Sequence, residues 1–350
     1  MHLLRTLAAQ VPPIRRLRQS RDQLLRERDE AQGRLDEAGE RLEAAQAEIA
    51  ELRERPADSP FFHYNAAFDP QEVMRRHAVP GLVPRPGYLT NFLGVLIDPK
   101  FFPSILQDRA GEVEGIPIPA NWHADIAEWG AALRAVDLAR GRFTVMELGC
   151  GWGCWLNNTG VAARRAGLDV HLIGVEGDEG HIGFAHEACT TNGFREDQRS
   201  LHRGIAAANS GFALFPRQKE AGMSWGLEPV FGASEEQRRE AARTGDYDEL
   251  PMLALGDLAA PHERIDLLHV DIQGGEAELV AGSLDLLREK VAYILIGTHS
   301  RGIEGRLFDL LLGKGWLLEI ERPAILDPRN PAAPVIVDGV QGWRNIALLP

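Results

Sequence analysis

Three groups of residues have the types and spacing that chemistry requires. The first is Glu147-Leu148-Gly149-Cys150-Gly151-Trp152-Gly153, an acidic residue followed by glycine at every second position. Glycines there let the backbone turn tightly and approach a ligand, and a helix beginning just after them would supply unbonded amides. The second is Glu176, at the end of the next apolar run, where a carboxylate can accept hydrogen bonds from both hydroxyls of a ribose. The third comprises Asp271, Glu276 and His299, downstream of two further apolar runs. His299 is the first candidate for a proton-abstracting base, because imidazole titrates near neutral pH. Asp271 could orient it, bind the acceptor of a transferred group, cap the following helix, or join Glu276 and His299 around a divalent cation. Carboxylates at strand ends are common without a metal, and none is expected.

The glycine spacing separates two cofactor classes. A dinucleotide loop requires Gly-x-Gly-x-x-Gly, and its last position is occupied by Cys154. Gly-x-Gly-x-Gly after an acidic residue suits a cofactor without a pyrophosphate, whose positively charged amino-acid end is held beside the loop. S-adenosylmethionine has that form, and a nicotinamide cofactor is the competing reading. A glycine-rich turn that binds nothing fits less well, because it leaves Glu147 and Glu176 unexplained.

These residues need a rigid frame. Strands are expected at 143–148, 171–175, 265–270 and 292–296, and helices at 155–166, 182–191 and 276–288. Such alternation implies an α/β, Rossmann-like parallel sheet covered on both faces. Open sheets of this kind hold ligands beyond the carboxyl ends of their strands, where all three groups fall. Residues 316–321 and 345–349 are expected as an antiparallel edge. Residues 216–262 interrupt the rhythm with a polar insertion containing Trp225, expected as an irregular substrate lid. Upstream, Asn121 is expected to cap a helix over 123–138, with Ile126, Trp129, Leu133 and Val136 on one face. Aromatic and proline-rich residues 57–120 show no clear period.

Leu24, Ala31, Ala38, Ala45 and Leu52 recur every seven residues, with Leu35, Leu42 and Ile49 between them. This heptad seam predicts an N-terminal coiled-coil helix over 17–52, through which copies of the chain or a partner helix could associate. Arg21, Arg28 and three alanines on the seam make it weak. The preceding residues put Leu3, Leu4, Leu7 and Val11 beside Arg5, Arg15 and Arg16. That pattern could touch a membrane surface, although Pro12-Pro13 ends it early, and a disordered or partner-packed end fits better. The expected organisation is 1–56 as helix, 57–140 as linker and cap, and 141–350 as the α/β domain.

The chain has 350 residues, of which 44% are hydrophobic, enough for a sizeable core. The net charge of −13 resides wholly in residues 57–350, since residues 1–56 hold 11 basic and 11 acidic side chains. An acidic body argues against nucleic acid as partner. Three cysteines form no disulfide framework, and no signal peptide or spanning segment is evident, so a cytoplasmic protein is expected.

The chain resembles the FkbM family of class I methyltransferases. The resemblance rests on the glycine loop with Glu176, on Gly204-Ile205-Ala206-Ala207 followed by Ser210-Gly211, and on Ile265-Asp266-Leu267-Leu268-His269-Val270-Asp271-Ile272-Gln273-Gly274-Gly275-Glu276. The family's corresponding motif reads much like Ile-Asp-Leu-Leu-Lys-Ile-Asp-Val-Glu-Gly-Ala-Glu. Its first loop commonly reads Asp-x-Gly-Ala-Asn-x-Gly, and here Glu147, Cys150 and Gly151 depart from it. The resemblance spans about 143–322. It implies that Glu147, Gly149, Gly151 and Gly153 wrap the methionine end of S-adenosylmethionine, that Glu176 binds its ribose, and that Ile205 and Ala206 lie beside adenine. It also implies O-methyl transfer to a hydroxyl of a sugar, a glycan or a glycosylated natural product. A different class of function remains open: the coiled coil could be an assembly or spacer element of a glycan-synthesis complex, with catalysis secondary or lost.

Overall fold

Alternating apolar strands and amphipathic helices assemble into an eight-stranded sheet in the computed structural model, which describes residues 59–350 together with Arg21, Gln23, Leu24, Leu25 and Gln32. Across the sheet the strands run Asn65–Ala66, Trp316–Arg322, Gly339–Asn345, Tyr293–Thr298, Leu267–Val270, Arg142–Leu148, Asp169–Glu176 and Arg199–Arg203. The last five are mutually parallel, and the first three form the antiparallel edge. This is the α/β, Rossmann-like sheet with an antiparallel edge expected from the sequence. Register places Leu148 beside both Val175 and Val270, and Val270 beside Ile296, so the parallel strands end together.

Period-two alternation sorts each strand onto two faces. Phe143 and Val145 join one apolar core with the helices Ile126–Leu138 and Cys154–Arg165. Met146 and Leu148 join the other, with the helices Glu276–Gly282, Leu284–Lys290 and Arg301–Leu311. Glu147 is in phase with Phe143 and Val145 and therefore faces the helix that follows the glycine loop.

Residues 60–350 form one compact unit. Residues 60–140 belong to it, contributing the edge strand Asn65–Ala66 and the helix Pro70–His77, which packs on Ile126–Leu138. The insertion is ordered rather than irregular. Its strand Tyr247–Ala254 lies in a second sheet between Ile205–Ala207 and Gly211–Pro216. Its helix Glu235–Thr244 starts at a Ser234–Gln237 capping box and stops at left-handed Gly245, both local sequence signals.

Other expectations shift for identifiable reasons. The helix expected at 123–138 begins at Ile126, because Asp125 caps it by accepting from Ala127 N at 2.7 Å, whereas Asn121 caps the turn before it. The last edge strand is Gly339–Asn345, and 345–349 is not a strand. Asn345 ends it by donating to Arg288 O and Val291 O, each at 2.9 Å, and accepting from Ala347 N. The helix expected at 276–288 breaks at Ser283. Among the described residues no helix is long and apolar enough to cross a membrane. Arg21, Gln23, Leu24, Leu25 and Gln32 are helical and exposed, and the remainder of the expected heptad seam and the basic N-terminal segment lie outside the described residues.

Candidate active site

The strand Arg142–Leu148 passes directly into the glycine loop, where Gly149, Gly151 and Gly153 all have positive φ. A Cβ at Gly149 would overlap the carbonyl oxygen of Asp271, and one at Gly151 would come within 2.6 Å of the Trp225 ring. Both space and backbone therefore demand glycine at these two positions. The Glu147 carboxylate turns beneath the loop and accepts from Trp155 N at 3.1 Å and Leu156 N at 2.9 Å. It thus caps the positive end of the helix Cys154–Arg165. Burial outweighs those bonds and raises its pKa to about 8. At the end of the next strand, Glu176 accepts from Gly151 N and Asp178 N, each at 2.8 Å, which ties the two strand-end loops together. Burial raises its pKa to about 7 against those same bonds.

Around these loops lies a cleft of about 380 Å³. Its lining includes Glu147, Gly149, Gly151, Glu176, Ile205, Ala206 and Asp271, so of the residues singled out from the sequence the structure leaves only Gly153, Glu276 and His299 outside it. Gly153 adjoins as the left-handed residue that starts the helix. The insertion supplies one wall through Trp225, whose ring lies parallel to His181 at 3.9 Å and to Phe102 at 5.2 Å. A second cleft, of about 260 Å³, adds Phe61, Asn121, Arg322 and Asp338 and shares Trp122, His123, Glu128 and Asp271 with the first. Asp271 therefore stands where two clefts meet.

His299 lines neither cleft. Its Nδ1 lies 2.9 Å from Glu276 Oε1, and its Nε2 lies 3.2 Å from Asp271 Oδ1, off the ideal hydrogen-bond direction. Burial alone would lower its pKa, but the two carboxylates outweigh burial and raise it to about 10. An imidazolium has no lone pair to offer at neutral pH. With its proton held in this way, His299 sits as a link between two carboxylates. Burial would raise the Asp271 pKa, yet His299, followed by His269 and Gln273, holds it below the ordinary range. The donor atoms of Asp271, Glu276 and His299 lie within 4.8 Å of one another. They are already engaged, since Glu276 also accepts from Ile272 N at 3.2 Å and Gly274 N at 3.0 Å, and Gln273 Nε2 donates to Asp271 Oδ1 at 3.1 Å. Gln273 does so from a left-handed backbone, φ 56°, which is uncommon outside glycine.

Residues 144–322 match the methyltransferase FkbM domain. A protein of Jannaschia sp. (strain CCS1) named "Putative methyltransferase" is 47% identical over 273 residues, covering 78% of this chain and 97% of its own. The chain belongs to the FkbM methyltransferase family. Among solved structures, the FkbM methyltransferase from Methylobacillus flagellatus KT is similar with a TM-score of 0.38 and 10% identity, over 62% of this chain and 54% of that one. A precorrin-6y C5,15-methyltransferase from Geobacter metallireducens GS-15 has a TM-score of 0.33 and 7% identity, over 61% and 86%.

Membership of the FkbM methyltransferases implies use of S-adenosylmethionine, and the groups lining the first cleft suit it. The glycines clear space against the backbone, Glu176 offers a carboxylate to vicinal hydroxyls, and Ile205 and Ala206 offer an apolar face. Sequence reasoning missed several lining residues of this FkbM methyltransferase: Trp122, His123, Glu128, His181 and His269. Glu128 carried a signal, since an acid in the first turn of a capped helix projects toward whatever that helix end faces. His269 carried one too, because it is a polar residue between Leu268 and Val270 in an otherwise apolar stretch of strand.

Proposed function

We propose that the chain is an S-adenosylmethionine-dependent O-methyltransferase that acts on a hydroxyl of a sugar, a glycan or a glycosylated natural product. The observation that carries this reading is the meeting of two clefts at Asp271, one suited to the cofactor and the other to an acceptor. When bound, S-adenosylmethionine supplies a methyl group activated by its sulfonium. The chain's own residues do the rest. Glu176 holds the ribose, Ile205 and Ala206 face the adenine, and the 147–153 loop receives the methionine end. Asp271, kept ionised by His299, orients the acceptor hydroxyl at the junction. Holding both reactants in line is worth several kcal/mol of barrier, on the order of 7–11 in the best intramolecular cases. Phe61 and Trp122, beside Asn121 and Asp338, give the second cleft aromatic faces next to hydrogen-bonding groups, a combination suited to a sugar ring.

The test is a mass-shift screen with S-adenosylmethionine carrying a labelled methyl group. Nucleotide-sugars, methyl glycosides and short glycans are offered alongside short RNA transcripts and free amines. Gain of one labelled methyl on a sugar hydroxyl supports the proposal, and labelling of a base or an amine overturns the choice of acceptor.

A further inference from the structure

His269 is 3% exposed, and neither of its ring nitrogens has a hydrogen-bond partner. Orphaned buried nitrogens cost stability and are uncommon in folded proteins, so each requires an explanation. Four observations supply one. His269 is the register partner of Glu147 on the neighbouring strand, and alternation aims both side chains to the same face of the sheet. There the ring lies 5.8 Å from Trp155, with Nδ1 3.9 Å from Glu147 Oε1, and it lines the first cleft together with Gly149 and Asp271. The wall shared with the second cleft, formed by Trp122, His123, Glu128 and Asp271, borders the same space. Trp122 Nε1 in that wall is likewise without a partner. His269 and Trp122 thus bring unpaired polar atoms to the wall of the first cleft, whereas each oxygen of Glu176 at the opposite side already accepts one backbone amide.

Resting on the methyl-transfer reading above, we propose that His269 is a catalytic residue: the base that takes the proton of the acceptor hydroxyl. The new oxygen–carbon bond forms as the carbon–sulfur bond breaks, and the electron pair of that bond stays on sulfur. The hydroxyl proton passes to an unprotonated nitrogen of His269. The resulting imidazolium is stabilised by the Asp271 carboxylate and leaves its proton to solvent after the product departs. Every titratable group facing His269 agrees with this role. Asp271 raises its proton affinity, and His123, from the segment before the Ile126–Leu138 helix, is itself held neutral by burial and then by His269, its pKa lowered to about 3. Glu147 and Glu128 are carboxyls whose pKa burial raises, and burial raises the Cys154 thiol as well. Burial, the largest influence, keeps His269 itself a free base down to about pH 4. His299, by contrast, carries its proton throughout the neutral range.

The experiment compares the full chain with His269→Gln and His269→Ala. Binding of S-adenosylhomocysteine is measured by calorimetry, and methyl transfer to a panel of methyl glycosides is measured from labelled S-adenosylmethionine. Removal of a general base is expected to lower kcat by about 10²–10⁴-fold, with S-adenosylhomocysteine affinity within about twofold of the unaltered chain. Added imidazole is expected to restore turnover to His269→Ala, and substituted imidazoles to follow their basicity, which a merely structural role would not produce. A long-range 1H–15N NMR spectrum of the S-adenosylhomocysteine complex at pH 6.5 is expected to show His269 neutral and His299 charged, independently of turnover. The proposal is overturned if His269→Gln keeps kcat within threefold, if cofactor affinity falls in step with turnover, or if His269 is charged at that pH. Absence of transfer by the unaltered chain to any hydroxyl overturns the methyl-transfer reading, and the assignment of His269 with it.

Discussion

The two sides of the first cleft are built on opposite rules. At the Glu176 side, each carboxylate oxygen accepts a backbone amide, and those bonds join the first two strand-end loops. At the His269 side, nitrogens are buried without partners, and His299 links the two neighbouring carboxylates in the Asp271–His299–Glu276 chain. The first side is complete in itself and suits a ligand of constant shape. The second is incomplete and suits reactants that arrive, react and leave. Preformed polar groups aimed at a reacting centre cost folding energy and repay it in the transition state, where no reorganisation is then needed.

That contrast breaks first at Gly149. Gly149→Ala puts a Cβ into the Asp271 carbonyl and forces a left-handed backbone, so both sides should lose their shared hinge. S-adenosylhomocysteine affinity should fall by more than about 100-fold, given several kcal/mol of steric and backbone strain. Unaltered affinity by calorimetry would show that the loop is not the cofactor cradle.

Glu176→Gln tests the complete side. Its carboxyl is raised to about 7 in the free protein, whereas ribose hydroxyls and a sulfonium favour the ionised form. Binding should therefore release a proton, and S-adenosylmethionine affinity should rise as pH increases through 7. The variant should bind about 10–100-fold more weakly, the worth of a charge-assisted hydrogen bond, and should lose that pH dependence. Calorimetry in buffers of different ionisation enthalpy counts the protons.

His299→Gln tests the linked chain on the other side. A folded pKa raised to about 10, from an unfolded value near 6.5, contributes stability that is full below pH 6.5 and lost as pH rises through 10. Denaturant midpoints of the unaltered chain should fall across that window more steeply than those of the variant. Parallel slopes would mean that His299 is not held charged.

The smallest effect is expected at Trp225, where the insertion only walls the cleft. Trp225→Ala removes stacking on His181 and Phe102. A lost aromatic contact of this kind is worth about 0.5–1.5 kcal/mol, so S-adenosylhomocysteine affinity should drop about 2–12-fold. A loss as large as that of Glu176→Gln would make the insertion a principal binding element.

The sheet was legible because its strands are apolar runs punctuated by glycine and followed by amphipathic helices, signals carried within a few residues. The complete side of the cleft was legible for the same reason: Glu147, the glycines and Glu176 sit on consecutive strand ends. The incomplete side was not, because its character depends on groups far apart in sequence. His299 looks like a base until Glu276 and Asp271 flank it, and His269 looks like one residue of an apolar strand until the first cleft opens beside it. The walls from residues 61–120 were hidden because they lack a period and take their positions from the finished core. Asn345 ended its strand through bonds to Arg288 and Val291, which no local pattern announces.

The central claim, that the loop at 147–153 and Glu176 form an S-adenosylmethionine site, is tested most directly by titrating the full chain with S-adenosylhomocysteine and, separately, with NAD in a calorimeter. The account predicts saturable one-to-one binding of S-adenosylhomocysteine, weakened by Glu176→Gln, and no heat from NAD beyond dilution. Binding of NAD, or silence with S-adenosylhomocysteine, would contradict it.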